Sequence, residues 1–144
     1  MLCKQIGSLA EESSDMIPVM ANASALLFEA LPEINWAGFY IVRENELLLG
    51  PFQGNVACVR IAKGRGVCGT AWENDEPLLV DDVHDFPGHI ACDSTSQSEI
   101  VIPIHKSGEV AAVLDIDSPI RARFSAEDKA GLIQFAKTIE TIFN

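Results

Sequence analysis

Basic residues are scarce in this sequence. Its 144 residues include 10 Lys and Arg against 21 Asp and Glu, so the formal net charge is −11 at pH 7. A chain this acidic repels the phosphate backbone of nucleic acids and anionic membrane surfaces. We therefore expect neither a nucleic acid nor a membrane among its partners.

Long apolar segments and linkers are also missing. No apolar run approaches the roughly 18 residues that a membrane-spanning helix needs. The first residues, MLCKQIGSLAEESSD, lack the basic start and apolar stretch of a signal peptide. No Pro-, Gly- or Ser-rich stretch divides the chain, and its length is that of one typical domain. The sequence predicts a cytoplasmic protein with a single domain over residues 1–144.

Closely spaced cysteine pairs are absent as well. The four cysteines are Cys3, Cys58, Cys68 and Cys92. Cys58 and Cys68 are ten residues apart, and Cys92 follows 24 residues later, which differs from the C-x₂₋₄-C pairs of structural zinc sites. Even with His84 and His89 as extra ligands, we expect no metal. A lone cysteine is usually a small core residue, but three cysteines next to polar segments favour a redox-active dithiol.

The order of helical and strand patterns predicts an α+β domain. Apolar residues recur at helical spacing from Ile17 to Leu31, between a candidate N-cap at Asp15 and a stop at Pro32, and a weaker helical piece precedes them. GRGVCGTAWEND predicts a short helix, and a loose capping box at Ser125 opens a final one. The strand-like segments are NWAGFYIVR, ELLLGPFQ, CVRI, PLLV, EIVIPIHK and EVAAVLDID.

A long polar stretch runs from Asp81 to Ser98 and contains Cys92. Loops of this length in a compact domain are usually functional or disordered. Short polar residues, Pro87 and Gly88 offer little packing there. We expect a mobile lid that carries Cys92.

Local chemistry favours Cys68 as the nucleophile among the cysteines. It lies near the start of the short helix that follows Gly66, where backbone N–H groups and the helix dipole lower a thiol pKa. Cys92 has Asp93 beside it, and a neighbouring carboxylate opposes thiolate formation. Its activation would have to come from elsewhere in the fold.

Three features together carry a family resemblance: NWAGFY, the spacing of Cys58, Cys68 and Cys92, and the strand AAVLDIDSP. They resemble the free methionine-(R)-sulfoxide reductases, which are stand-alone GAF domains, from about Ser24 to near the C-terminus. The resemblance implies a central antiparallel sheet with the N- and C-terminal helices on one face and a loop-covered pocket on the other. It further implies a cytosolic homodimer that reduces free L-methionine-(R)-sulfoxide with thioredoxin as electron donor and without a cofactor.

The resemblance also assigns roles to the cysteines. The position matching Cys92 attacks the sulfoxide, against the local preference for Cys68. Cys58 is then the main candidate for the resolving cysteine and Cys68 an auxiliary one, and their order stays open. Cys3 has no counterpart in the motif and is expected to be a spectator.

Acidic and aromatic residues complete the site that the resemblance implies. Asp115 and Asp117 are two apart on one strand, so they share a face that could receive an α-ammonium group. By the family match, Glu99 and Asp117 bind the sulfoxide end and assist proton delivery, while Trp36 and Tyr40 wall the pocket around the methyl group. The alternatives are ordinary ones: a strand-end Asp often caps a turn, and a Trp often packs a core.

The register of the last hairpin tests this arrangement. A two-residue turn at Ser107-Gly108 places Glu99 opposite Ile116, on the face away from both aspartates. A three-residue loop that includes Lys106 would bring Glu99 to their face. A bulge, which Pro103 makes more plausible, would do the same. The expected site requires one of these departures from the simple hairpin, or a Glu99 that lies before the regular ladder.

A ligand-sensing GAF module without chemistry is the main alternative function. Sensory modules usually act on an attached output domain, and we expect none in this chain. A structural or interaction protein is disfavoured because Cys, Asp and Trp are concentrated in the sheet and its loops.

Overall fold

A computed structural model describes residues 1–89 and 94–143. The helices are α1 (Leu2–Leu9), α2 (Met16–Ala30), α3 (Gly66–Asn74) and α4 (Ala126–Phe143). The strands are β1 (Trp36–Arg43), β2 (Glu46–Gly54), β3 (Arg60–Ile61), β4 (Leu78–Val80), β5 (Ser98–Lys106) and β6 (Glu109–Ser118), and one 3₁₀ turn covers Val83–Asp85. The strands form one sheet in the order β3-β2-β1-β6-β5-β4, with every neighbouring pair antiparallel. No helix within these residues is long and apolar enough to cross a bilayer.

Local sequence signals set the ends of α2 and α4. The Asp15 carboxylate accepts a hydrogen bond from the backbone N–H of Ile17 at 2.9 Å, which caps α2. At the start of α4, Ser125 Oγ accepts from the Asp128 N–H at 3.1 Å and Asp128 accepts from the Ser125 N–H at 2.9 Å. The predicted N-cap and capping box are both confirmed.

One face of the sheet packs against the helices α1, α2 and α4. Phe39, Ile102 and Leu114 lie in this core with almost no exposure. The helical spacing of α2 is confirmed, but its predicted apolar stripe is partly wrong. Ile17 and Phe28 are exposed over half and more than a third of their surface, respectively. The residues of α2 that face the core lie one or two positions away from them in the sequence.

The other face of the sheet packs against α3 and the loops. Trp36, Tyr40, Val101 and Val113 line this face, together with Cys68 and Trp72 of α3. The predicted α+β architecture is therefore confirmed: the terminal helices cover one face, and α3 and loops border a pocket on the other.

The β5–β6 hairpin combines a two-residue turn with a bulge. Lys106 pairs with Glu109 across the turn, and a register shift follows that leaves Ala111 without a partner. Beyond the shift, Glu99 pairs with Asp117. The bulge alternative is therefore confirmed and the three-residue loop is wrong. The extra residue brings three carboxyl side chains to the pocket face.

Candidate functional site

Three carboxyl groups lie together on the pocket face of β5 and β6. Glu99 and Asp117 are paired across the two strands, and Asp115 is opposite Val101. Glu99 and Asp115 keep only 7% and 5% of their surface exposed, and Asp117 is half-buried. Charged groups are rarely buried this far without partners. The cluster is therefore the leading candidate for the functional site.

No salt bridge neutralises the cluster in the part of the chain that the structure describes, although Arg65 and His89 border the same cavity. None of the three carboxyl groups forms a salt bridge there. Ser96 Oγ donates to Asp117 Oδ2 at 3.4 Å. The Oδ1 atoms of Asp115 and Asp117 are buried and accept no hydrogen bond from the described residues. These oxygens could accept from a cationic ligand.

Burial raises the pKa values of all three carboxyl groups. For Glu99 and Asp117 the pKa lies well above the usual range, because burial and the negative charge of Asp115 both favour the protonated form. The pKa of Asp115 is raised less, because hydrogen bonds from Glu99, Cys68 and Asp117 oppose the effect of burial. Asp115 is therefore the first of the three to ionise, and its neighbours are the acids that keep protons.

Aromatic side chains of β1 form one wall of the pocket. The Trp36 ring stacks on Tyr40 at 6.0 Å and on Phe52 of β2 at 5.1 Å between centroids. Gly38 lies between the two β1 aromatics in sequence and is paired with Asp115. A Cβ at Gly38 would come within 2.3 Å of the Phe52 Cβ and 2.9 Å of the Trp36 ring. The glycine is therefore required for the stacked wall.

Cys68 lies deep in the site as a free thiol. It is the third residue of α3, and its Sγ is 3.9 Å from Glu99 Oε2. Burial, then the charges of Asp115 and Glu99, raise the pKa of this thiol well above its usual value. The expectation that the helix start lowers this pKa is wrong, because desolvation and three nearby acids outweigh the helix dipole.

Cys58 lies at the edge of the pocket and is disulfide-bonded. It is partly exposed and precedes β3, and its carbonyl oxygen accepts a hydrogen bond from the Tyr40 hydroxyl at 2.8 Å. Cys3 is a free thiol on the helix side of the sheet, next to the core there. Cys92 lies outside the described residues.

The ends of the predicted lid are firmly attached. Val83 is buried, and its N–H donates to the Gln97 carbonyl at 2.8 Å. The Gln97 N–H in turn donates to the Ser118 carbonyl at 2.7 Å. The centre of the stretch, including Cys92, lies outside the described residues, so its mobility stays a prediction.

One set of side chains in the described ranges could hold a metal ion. A sulfur of Cys68 and a carboxylate oxygen each from Glu99 and Asp115 lie within 4.8 Å of one another. The histidines considered from sequence are not part of this set. His84 is exposed and binds Asp82 at 2.9 Å, while His89 lines the pocket.

Sequence reasoning did not assign three polar residues to the pocket, of which it considered only His89, as a metal ligand. Ser96 donates to Asp117 and accepts from the side-chain amide of Asn35 at 3.1 Å, while Arg65 and His89 border the cavity. The cavity measures about 50 Å³, which is room for water beside the acids. Ser96 and His89 belong to the polar stretch, where no periodicity distinguishes a pocket residue from a solvent-facing one.

The sheet with helices on one face and a pocket on the other corresponds to a known domain. A family model described as "GAF domain" matches residues 21–144. The chain therefore has the GAF domain as its fold.

Relatives define the family more closely. Free methionine-R-sulfoxide reductase of Escherichia coli is 48% identical over 141 residues, which cover 98% of this chain and 86% of the relative. The structure of fRMsr of Staphylococcus aureus in its reduced form is 52% identical with a TM-score of 0.96, covering 99% of this chain and 93% of that one. Free methionine-R-sulfoxide reductase from Neisseria meningitidis, solved in complex with its substrate, is 44% identical with a TM-score of 0.94, covering 99% and 86%. This chain belongs to the free methionine-R-sulfoxide reductase family of GAF-domain oxidoreductases.

Proposed function

We propose that this protein reduces free L-methionine-(R)-sulfoxide to methionine by cysteine chemistry. The observation that carries the proposal is the buried cluster of Glu99, Asp115 and Asp117, which has unpartnered oxygens and raised pKa values. Free methionine sulfoxide supplies both an ammonium group for an ionised carboxylate and a sulfoxide oxygen for a protonated carboxyl group. The names of the relatives support the same substrate.

Asp115 is the acid best suited to bind the α-ammonium group. Its pKa is raised less than those of its neighbours, so it is the first of the three to carry a negative charge. A buried carboxylate that accepts from an ammonium group makes a charge-assisted hydrogen bond, which is about twice as strong as a neutral one. Binding would also give the cluster an ion pair, which none of its carboxyl groups forms among the described residues.

Glu99 and Asp117 are suited to act as acids. Their raised pKa values favour the protonated form, which can donate a hydrogen bond to the sulfoxide oxygen. The Ser96 hydroxyl orients Asp117 through the 3.4 Å contact. Trp36 and Tyr40 would enclose the methyl group of the substrate.

The redox steps balance with cysteines alone. The Cys92 sulfur bonds to the sulfoxide sulfur, and the S–O bond breaks as the protonated oxygen leaves as water. Water then attacks the Cys92 sulfur and the S–S bond breaks, so methionine leaves and Cys92 becomes a sulfenic acid. The Cys58 thiol then forms a disulfide with that sulfur and water departs. A thioredoxin-type dithiol reduces the disulfide and becomes oxidised itself. The partial exposure of Cys58 supports this step, because an external thiol needs access.

Cys58 fits the resolving role better than Cys68. In the structure Cys58 is disulfide-bonded, whereas Cys68 is a free, buried thiol with a raised pKa. A thiol that stays protonated attacks slowly. Cys68 would therefore be an auxiliary thiol that reacts only after Cys58.

Thiol counting distinguishes the proposed enzyme from a ligand-sensing GAF module. One equivalent of free methionine-(R)-sulfoxide added to the reduced protein should remove two thiols per chain, and the (S) epimer should remove none. A thioredoxin-coupled assay with each epimer should show turnover with (R) only. A sensor would bind ligand and keep every thiol, which would refute the proposal.

The remaining features of the proposal concern the cellular setting. We expect one domain over residues 1–144, a cytoplasmic location and a homodimer. Burial of Ile6 in the helix-side core supports the inclusion of α1 in the domain. Sedimentation equilibrium of the reduced protein tests the homodimer, and a monomer at micromolar concentration would contradict it.

A further inference from the structure

The segment that carries Cys58 has little regular structure of its own. Residues 55–59 lie between β2 and β3 and belong to no helix or strand. Val56 and Val59 are 87% and 60% exposed, so only Ala57 and Cys58 of this segment pack against the pocket-side core, and both are only partly buried. Without restraints, a segment of five residues samples many backbone conformations, so the position of its thiol would vary widely.

Hydrogen bonds from two buried aromatic residues add to this limited packing and fix the backbone of the segment. The Tyr40 hydroxyl donates to the carbonyl of Cys58 at 2.8 Å, and the Trp36 Nε1–H donates to the carbonyl of Asn55 at 3.1 Å. Both rings are 3% exposed, and both belong to a strand in the interior of the sheet. The Leu49 N–H adds a third bond, to the Val59 carbonyl at 2.9 Å.

The Tyr40 hydroxyl is available as a donor at every relevant pH. Burial, followed by the charge of Asp115, raises the pKa of this phenol above its usual value. The hydroxyl proton is therefore present whatever the state of the acid cluster.

We propose that Tyr40 and Trp36 are positioning residues for the resolving thiol, in addition to forming a pocket wall. By fixing the backbone of Cys58 and Asn55, they keep the Cys58 sulfur where it can reach the sulfenic acid. This inference rests on the proposed function for the role of Cys58. Rapid formation of the disulfide matters because a sulfenic acid that persists can be oxidised further and irreversibly.

A redox equilibrium tests the positioning role without any methionine sulfoxide. Wild-type protein and Tyr40→Phe are equilibrated with defined ratios of reduced and oxidised glutathione, and the fraction with the Cys58 disulfide is measured. Loss of one hydrogen bond should lower the equilibrium constant for disulfide formation about 3- to 10-fold. Trp36→Phe, which also lacks the donor, should shift the constant in the same direction.

Ser24→Ala is the matched control. The Ser24 hydroxyl is buried and donates to backbone carbonyls of Met20 and Pro51, on the helix side of the sheet. Its loss removes side-chain-to-backbone bonds of the same kind, but none to the Cys58 segment. Wild-type equilibrium constants in Tyr40→Phe, or an equal shift in Ser24→Ala, would overturn the proposal.

Turnover provides the second measurement. After one equivalent of (R)-sulfoxide, the rate of second-thiol loss relative to methionine release should fall about 3- to 10-fold in Tyr40→Phe. More sulfenic acid should be trapped by a 1,3-diketone reagent. Equal slowing of both phases would restrict Tyr40 to substrate binding and overturn the positioning role. Normal loss of both thiols in Cys58→Ser would refute the assignment of Cys58 instead, whatever the glutathione result.

Discussion

The two faces of β5 and β6 differ in what they bury. On the helix side, Ile100, Ile102, Leu114 and Ile116 form a dry aliphatic core with α2 and α4. On the pocket side, residues that alternate with these include Glu99, Asp115 and Asp117. Each strand therefore carries both surfaces in alternate positions.

The stability of the fold and the chemistry of the site therefore depend on opposite faces of the same strands. Burial of Leu114 removes apolar surface from water and stabilises the fold. Burial of Asp115, one residue later, costs free energy whenever the group is charged. The aliphatic face fixes the strands in place, so the acids on the other face stay close together although their ionised forms would repel one another.

Truncation on the helix side should have the largest effect on stability. Leu114→Ala leaves a cavity in a closely packed core, so the free energy of unfolding should fall by about 2 to 5 kcal/mol. Urea unfolding provides the measurement. Ile120→Ala, at a position 42% exposed, is the control and should change it by less than about 0.5 kcal/mol. A loss below about 1 kcal/mol for Leu114→Ala would mean that this face is not the stabilising one.

Removal of the substrate ammonium should have the next largest effect, on the pocket side. N-acetylated and peptide-bound (R)-sulfoxides leave the charged carboxylate without its partner, so kcat/KM should fall at least about 10- to 100-fold. The comparison is kcat/KM for the free, N-acetylated and peptide-bound forms. In Asp115→Asn the preference for the free form should largely disappear. Comparable values for all three substrates in the wild-type protein would refute ammonium binding.

The acid cluster should also make stability depend on pH. Folding raises the pKa of Glu99, so its contribution is present below the unfolded pKa, near 4, and is lost as pH rises through the folded pKa. One such group changes the free energy of unfolding by at most about 1.4 kcal/mol per pH unit. Glu99→Gln should flatten this decline, and Glu109→Gln, exposed in the hairpin, should not. An unchanged slope in Glu99→Gln would contradict the raised pKa.

His105, at the hairpin end of β5, should give the smallest effect. Its Nε2 is 2.6 Å from Asp75 and its Nδ1 is 2.5 Å from Glu140. Burial lowers its pKa, but the hydrogen bonds to these carboxylates outweigh burial and the net direction is upward. The stabilisation is thus present below about pH 6.5 and lost as pH rises through the folded pKa.

The size of the His105 effect is limited by solvent. The His105 and Asp75 side chains are 38% and 53% exposed, so the loss should stay below about 1 kcal/mol. Urea unfolding from pH 6 to pH 9 should show a decline that His105→Gln removes. His84→Gln, at an exposed site, is the control. A decline of equal size in His105→Gln would place its source elsewhere.

The helix-side architecture could be read from the sequence in advance. Asp15, Ser125 and Asp128 gave the helix starts, and alternation gave the strands, because capping and periodicity are local properties. The exact buried face of α2 could not be read, since Ile17 and Phe28 are as apolar as the residues that are buried. Which apolar residues a helix buries depends on the elements it meets.

The arrangement on the pocket side was harder to predict from the sequence. The alignment of Glu99 with Asp117 depends on one extra residue, Ala111, and nothing in its identity marks a bulge. The thiol pKa of Cys68 was expected to be low from its place in α3, but acids distant in sequence raise it. Long-range electrostatics and register are properties of the folded chain.

The most direct test of the proposed reductase compares single turnovers of cysteine variants. Reduced Cys92→Ser, Cys58→Ser and the control Cys3→Ser are each mixed with excess (R)-sulfoxide in the absence of reductant, and methionine is counted. We predict no methionine from Cys92→Ser, about one per chain from Cys58→Ser, and wild-type release from Cys3→Ser. Full release by Cys92→Ser would contradict the account, because another sulfur would then be the nucleophile.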